Sequence, residues 1–349
     1  MIKVSPLTQK KIRHFKEIKR GYWSFVILSI MLILSLFAEL LINSKALVVK
    51  YDGSYYFPVV SDVRLGSEFG QESSSEADYR VLQKAFEAEG GGDNFVILPL
   101  VPWNPYEQDF SGDFPPTAPS AENKHYLGTD VIGRDILARL VYGFRTAMGF
   151  ALLTMAISYA IGTAVGCAMG FWGGKFDLFV QRLIEIWSMV PFLYVIMILV
   201  SIVQPTFALF VAINVLFTWM GMTCYMRTMT YKEAAREYVM AARALGASTG
   251  RILFNHILPN TMVMIVTLAP FTIAANITAL TALDYLWLRL DATNAKLGGE
   301  LLQQGKSNLD SPWIVASVVT SIVLVLVMVT FIGEAIRAAF DPKKFTRYV

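Results

Sequence analysis

Six runs of about twenty apolar residues, each long enough to cross a bilayer core as a helix, constrain this chain more than any other feature. They cover 22–42, 146–171, 186–203, 207–226, 261–283 and 313–332. Their apolar residues run all round the helix instead of along one stripe, as burial in lipid or in a bundle demands. Composition agrees: 16% of the 349 residues are charged, where a soluble domain carries about a quarter. The expected fold is an all-α polytopic membrane protein with six transmembrane helices. The first run exceeds the apolar core of a cleavable signal and ends in AELLINSK, without a small-residue cleavage site, so it reads as a retained span.

Lys and Arg in short loops set the orientation. Residues 1–21 hold seven basic residues against one acidic, 227–260 five against two, and 333–349 four against two. The 284–312 loop holds three against four, and the long 43–143 segment eight against fifteen. Both termini and the 227–260 segment are therefore expected on the cytoplasmic side. The two cysteines, Cys167 and Cys224, fall inside spans, so no disulfide framework is expected. The histidines His14, His125 and His256 are scattered and suggest neither a metal site nor a catalytic triad.

The expected domains are a basic cytoplasmic arm at 1–21, a first span at 22–42, an exported insertion at 43–143, a helical core at 144–340 containing a cytoplasmic loop at 227–260, and a tail at 341–349. The arm reads as a positive-inside anchor in preference to an interfacial helix. The insertion opens on a strand-like KYDGSYYFPVV and continues into a helix, SEADYRVLQKAFEAE, closed by Gly90, Gly91 and Gly92. Six prolines then bar helix over 99–119. A small domain receiving a soluble partner and a passive cap over the bundle are both open readings. The insertion ends in an amphipathic helix expected at the outer interface, with Ile136, Leu137, Leu140 and Val141 on one face. In it Asp135 can pair with Arg139 at i,i+4, and Asp130 can serve as N-cap. In the second span, Gly162, Gly166 and Gly170 recur every four residues and allow close helix approach.

The run AARALGASTGRILFNHILPN at 241–260 is too polar for its surroundings. From Thr228 to Leu245, Ala234, Ala235, Tyr238, Ala241, Ala242 and Leu245 recur at helical spacing. Gly246 ends that helix, Ser248 or Thr249 caps a second, and Pro259 suits the first turn of the next span. Such a hairpin either offers a shallow face to another protein or packs on its own bundle, and the residues alone leave the two open.

These residues resemble the signature loop of ABC importer permeases, E-A-A-x-x-x-G, nine residues, then I-x-L-P. Ala241, Ala242, Gly246, Leu258 and Pro259 match in register, while Met240 stands where the family has Glu and His256 where it often has Ile. The nearer Glu233-Ala234-Ala235 lacks the glycine four residues on. ARALGAS…HILPN and HYLGTD…GRDILARLVYG are similar to the oligopeptide/dipeptide branch. RGYWS…ELL and KYDGSYYFPV are similar to a narrower Yej-type group of peptide and microcin C importers.

The resemblance implies a type I importer permease with a MetI-like core, resident in a bacterial inner membrane and moving oligopeptides. It implies an ATPase-coupling loop made of Tyr238, Ala241, Ala242, Ala244, Leu245, Gly246, Ala247, Leu258 and Pro259. It also implies a family motif before the second span, at Gly128, Thr129, Asp130, Gly133, Arg134 and Asp135. The implied partners are a second permease subunit in a heterodimer, a cytoplasmic ABC ATPase, a periplasmic peptide-binding protein and the lipid bilayer, with no nucleic acid. The chain itself is expected to be no enzyme and to hold no cofactor, ATP and Mg belonging to the partner ATPase. GELLQQGKS at 299–307 has five residues between its glycines where a phosphate loop has four.

Ionisable residues near spans are functional candidates by default. Glu39, Glu185, Asp284 and Glu334, with Asn214 and Asn276, read better as anchors or interhelix bonds because the carboxylates sit near span ends. A proton-coupled secondary transporter using Glu39, Glu185 or Glu334, or a membrane scaffold without flux, are the rival readings.

Overall fold

The glycine row of the second span decides how the bundle closes. The computed structural model describes residues 6–88, 93–110, 114–286 and 298–340. Gly90, Gly91, Gly92 and the 341–349 tail lie outside those residues, as do the first five positions of the basic arm.

The chain begins with α1 (Pro6–Glu17), α2 (Lys19–Leu36) and α3 (Ala38–Leu41). The insertion carries β1 (Val48–Tyr51), β2 (Ser54–Tyr56), α4 (Tyr79–Ala88) and β3 (Phe95–Ile97). The core then runs α5 (Ile136–Trp172), α6 (Gly174–Ser188), α7 (Phe192–Ile202) and α8 (Phe207–Ala234). After these come α9 (Glu237–Ala244), α10 (Thr249–Arg251), a π-helical stretch Ile252–Ile257, α11 (Leu258–Tyr285), α12 (Gly298–Ser307) and α13 (Pro312–Phe340).

Among the described residues five helices are long and apolar enough to cross a membrane, or six if α6 and α7 are one span bent by 69°. That bend falls inside the third apolar run. The 186–203 run straddles it, because Pro191 has no N–H for a continuing helix and instead occupies the N-cap of α7. A correction concerns the amphipathic helix before the second span. It is the opening of α5 itself, 37 residues or about 55 Å at 1.5 Å per residue. Both its sides are covered: Ile136 and Leu140 pack with Leu301, Ile314 and Val318, while Leu137 and Val141 pack with Ile42, Val101 and Trp103.

Inside lipid, helices gain nothing by hiding apolar surface from one another, so close packing and interhelix hydrogen bonds hold the bundle. A Cβ on Gly162 would stand 2.7 Å from the Trp219 carbonyl, on Gly166 2.5 Å from that of Thr223, and on Gly170 2.6 Å from that of Arg227. The bare backbone of α5 thus lies directly on α8. Phe150, Ile196, Phe210, Ile213 and Leu280 fill the space where α5, α7, α8 and α11 meet. Leu28, Met148, Ile277, Val325 and Val329 do so for α2, α5, α11 and α13. Asn214 donates to Asn276 at 3.4 Å, and Asn276 donates to the Ala151 carbonyl at 3.2 Å, tying α8, α11 and α5. Those two amides are interhelix bonds, as their sequence positions suggested.

The insertion folds around a three-stranded antiparallel sheet in the order β2-β1-β3. Val49, Phe69, Tyr79, Leu82, Phe86 and Val96 form its core, each large apolar side chain worth roughly 1.5–3 kcal/mol when buried. Burial, with Glu76 nearby, pushes the Tyr79 phenol up to about 12. A unit this small closes only part of its surface alone, and its remaining support is the bundle. Trp103 stacks on His125 at 4.2 Å, and the Arg80 guanidinium lies 3.8 Å from the Trp103 ring. His125 in turn contacts Asp135 at 2.8 Å and Asp109 at 3.2 Å.

Candidate functional site

Two clusters of polar residues lie at opposite ends of the long helices. At one end, α8 stops at Ala234 and the chain turns through Ala235 and the extended Arg236 before α9 begins. The single helix expected from Thr228 to Leu245 is therefore two, and Ala234 and Ala235 do not share a face with the rest. Gly246 follows α9 with φ +79°, and a Cβ there would meet nothing within 4 Å. Its requirement is conformational, since L-residues other than glycine rarely adopt that region. Ser248 then caps α10, its hydroxyl accepting from the Arg251 N–H at 3.4 Å, and Pro259 lies in the first turn of α11.

Only part of this hairpin is turned inward. Val239, Ile252 and Ile257 are buried with Phe171, Ala234, Ala247 and Leu253 around them. Ala242, Ala247 and Leu258 are half-buried, while Tyr238, Ala241, Ala244, Gly246 and Pro259 are exposed. Leu245 is 88% exposed, Phe254 70% and Met240 53%. An apolar tip standing clear of its own bundle is the geometry of a docking element.

Directional contacts fix its base. The Tyr238 hydroxyl donates to Glu233 Oε2 at 2.7 Å and accepts from Asn260 Nδ2 at 3.1 Å. Burial, then the bond to the Glu233 carboxylate, holds that phenol above its ordinary pKa. Arg243 lies 5.0 Å from the Phe171 ring at the end of α5. Nearby, Arg227 of α8 donates twice to Asp177 of α6, at 2.5 and 2.6 Å, and Tyr231 donates to the same carboxylate at 2.7 Å. Sequence reading passed over Asp177 and Arg227, and treated Glu233 only as part of a false register. An Arg on a span's last turns facing an Asp was the available signal.

At the other end, the 128–135 motif makes a tight loop. Asp130 Oδ1 accepts from the Ile132 and Arg134 N–H groups at 3.0 Å each, so it closes the loop and does not cap a helix. Asp135 is the N-cap of α5, accepting from the Ala138 N–H at 2.6 Å. Its other oxygen meets His125, so the expected pair with Arg139 does not form. Arg139, fully buried, instead donates to Asp130 and to Glu300 Oε2, while Arg134 donates to Asp130 Oδ2 at 2.7 Å and to Glu300 Oε1 at 2.8 Å. Asp284 accepts from the Glu300 N–H at 2.9 Å. Thr129 accepts from the Thr117 N–H at 2.8 Å, and Gly128 and Gly133 turn the chain with positive φ.

Two guanidiniums thus meet the carboxylates of Asp130 and Glu300, with Asp284 beside them, in a buried cluster, as buried charges require partners. Glu300 belongs to the GELLQQGKS segment, which is the helix α12. The remaining carboxylates are anchors or exposed: Glu39 accepts from Arg145 at 2.8 Å, Glu185 from Arg182 at 2.5 Å, and Glu334 is exposed.

The long apolar helices and the bent pair define a multi-pass helical membrane protein. The chain belongs to the binding-protein-dependent transport system inner membrane component family, whose model matches residues 160–346. It is 40% identical to the inner membrane ABC transporter permease protein YejE of Escherichia coli (strain K12), over 99% of both chains. It is 34% identical to the peptidoglycan transport system permease protein YejE of Agrobacterium fabrum, over 98% of this chain and 95% of that one. The oligopeptide transport system permease protein OppC of Haemophilus influenzae is 31% identical over 71% of this chain and 80% of its own. The chain is accordingly an ABC transporter permease of the type I importer class, residing in the inner membrane.

Proposed function

We propose that this chain is one permease subunit of an ATP-driven importer of oligopeptides, including peptide antibiotics of the microcin C kind. It pairs with a second permease, a periplasmic peptide-binding protein delivers the substrate, and a separate ATPase chain binds ATP and Mg. The observation that carries this reading is the hairpin of Tyr238 to Pro259, whose apolar tip is left uncovered in a chain whose relatives are ABC permeases. Both termini and the hairpin lie on the cytoplasmic side in this reading. The spans form half of a pathway that alternates between two accesses, biased by the ATPase through the hairpin. The proton-relay rival has little support, because Glu39 and Glu185 are paired with arginines and Glu334 is exposed.

Uptake of a labelled peptide into proteoliposomes holding the whole importer tests the coupling role. Gly246→Pro forces φ to about −65° where the chain needs +79°. Uptake is expected to vanish while the protein still inserts; normal uptake by this variant sinks the coupling role. A substrate drawn from peptidoglycan is a second reading, favoured by the name of the 34%-identical relative. Competition of labelled-peptide uptake by oligopeptides, by peptidoglycan-derived peptides and by microcin C separates these substrates.

A further inference from the structure

We infer that Tyr238, bonded to Glu233 and Asn260, forms a brace that makes α9 move as one piece with the ends of α8 and α11. This rests on the coupling role proposed above. Glu233 sits in the last turn of α8 and Asn260 in the first turns of α11, and the Tyr238 hydroxyl bonds to both. Asn260 also donates to the His256 carbonyl at 2.7 Å, so its amide is held on two sides. The Arg236 Nε reaches Glu233 Oε2 at 3.1 Å and Oε1 at 3.2 Å, so both carboxylate oxygens are engaged across the break between α8 and α9.

The other supports of α9 differ in kind. Val239 packs in an apolar cluster, which resists separation but allows rotation. Arg243, in the last turn of α9, lies over the Phe171 ring. The Tyr238 bonds, being directional, oppose rotation of α9 about its axis, and with it any change in the direction in which Ala241, Ala244 and Leu245 face. At the opposite corner the chain passes through the π-helical Ile252–Ile257, whose wider turns are an irregularity in the helix ladder. The hairpin therefore has a stiff corner at Tyr238 and a compliant one at the π turn. A push on its tip is delivered to α8 and α11 together instead of being absorbed in the Ala235–Arg236 link. Tyr238 is a positioning residue in this scheme, as is Glu233.

The test compares Tyr238→Phe, Glu233→Ala, Glu233→Gln and the Tyr238→Phe/Glu233→Ala double variant in proteoliposomes containing the complete importer. Import turnover, peptide half-saturation and ATP hydrolysed per peptide are measured together. Tyr238→Phe and Glu233→Ala are each expected to slow import by roughly threefold to tenfold, the scale of one ordinary hydrogen bond at an exposed site. The ATP cost per peptide should rise by a similar factor at unchanged half-saturation. The double variant should be no worse than either single one, and Glu233→Gln should restore coupling because its amide oxygen still accepts from the phenol.

An unchanged ATP-per-peptide ratio in Tyr238→Phe overturns the brace, and so does a Glu233→Gln variant as poor as Glu233→Ala. Loss of ATPase association in Tyr238→Phe overturns it as well, since the hydroxyl would then be a partner contact. Failure of the coupling reading itself looks different: the unaltered importer shows no ATP-dependent uptake. In that case amide exchange on the full chain still reads the brace, as faster exchange over 237–247 in Tyr238→Phe.

Discussion

Glu300 shows how much one side chain decides in this molecule. It receives Arg134 and Arg139 on separate oxygens in a site closed to solvent. Truncating it takes a direct partner from each of two buried guanidiniums. Breaking a buried pair in this way costs about 3–5 kcal/mol, so Glu300→Ala should melt far below the unaltered protein in a detergent thermal scan. A melting point within a degree or two of the parent would show that the cluster contributes no stability. Met240 is the opposite case. It is more than half exposed, and Met240→Glu should change stability by at most about 0.5 kcal/mol. Its departure from the family pattern therefore concerns what touches the hairpin and leaves the fold of this chain alone.

Between elements, the α5–α8 contact offers a controlled comparison along a single helix. Gly166 has backbone of α8 within 2.5 Å of where a Cβ would stand, whereas Gly149 has nothing within 4 Å. Gly166→Leu overpacks the seam, at about 1–3 kcal/mol or more. Gly149→Leu gains helix propensity of up to about 1 kcal/mol and should be neutral or stabilising. Parallel melts of the two variants check this, and equal effects would remove the special role of the seam. The four-residue glycine spacing was readable in sequence because it is local. The bend between α6 and α7 was not, because Pro191 within an apolar run can end, kink or start a helix.

For the whole molecule, the insertion is built for excision. Val48 of β1 pairs with Ile97 of β3, so the two ends of the 47–98 unit lie side by side. Replacing 47–98 with a short linker keeps Trp103, His125 and the α5 cap in place, and the bundle should still insert and melt cooperatively. If the insertion docks the binding protein, the affinity of that partner for the importer should fall at least tenfold. Unchanged affinity would leave the unit as a passive cap. Between that unit and the proline-rich segment runs a cleft of about 490 Å³, lined by Arg80 and Lys84 on one side and by Trp103, Glu107 and Lys124 on the other.

What the sequence determined by itself was whatever depends on neighbours along the chain. Span length, the glycine row, the strand-like start of the insertion and the turn at Gly246 all follow from local spacing and local conformation. Tertiary structure decided everything that depended on distant partners. Arg134 and Arg139 meet Glu300 across more than 160 positions, and a short-range pairing of Asp135 with Arg139 was outcompeted by His125 and a helix cap. The physical reason is that a buried charge takes the partner that satisfies it best in three dimensions, and sequence spacing ranks only the partners on its own helix.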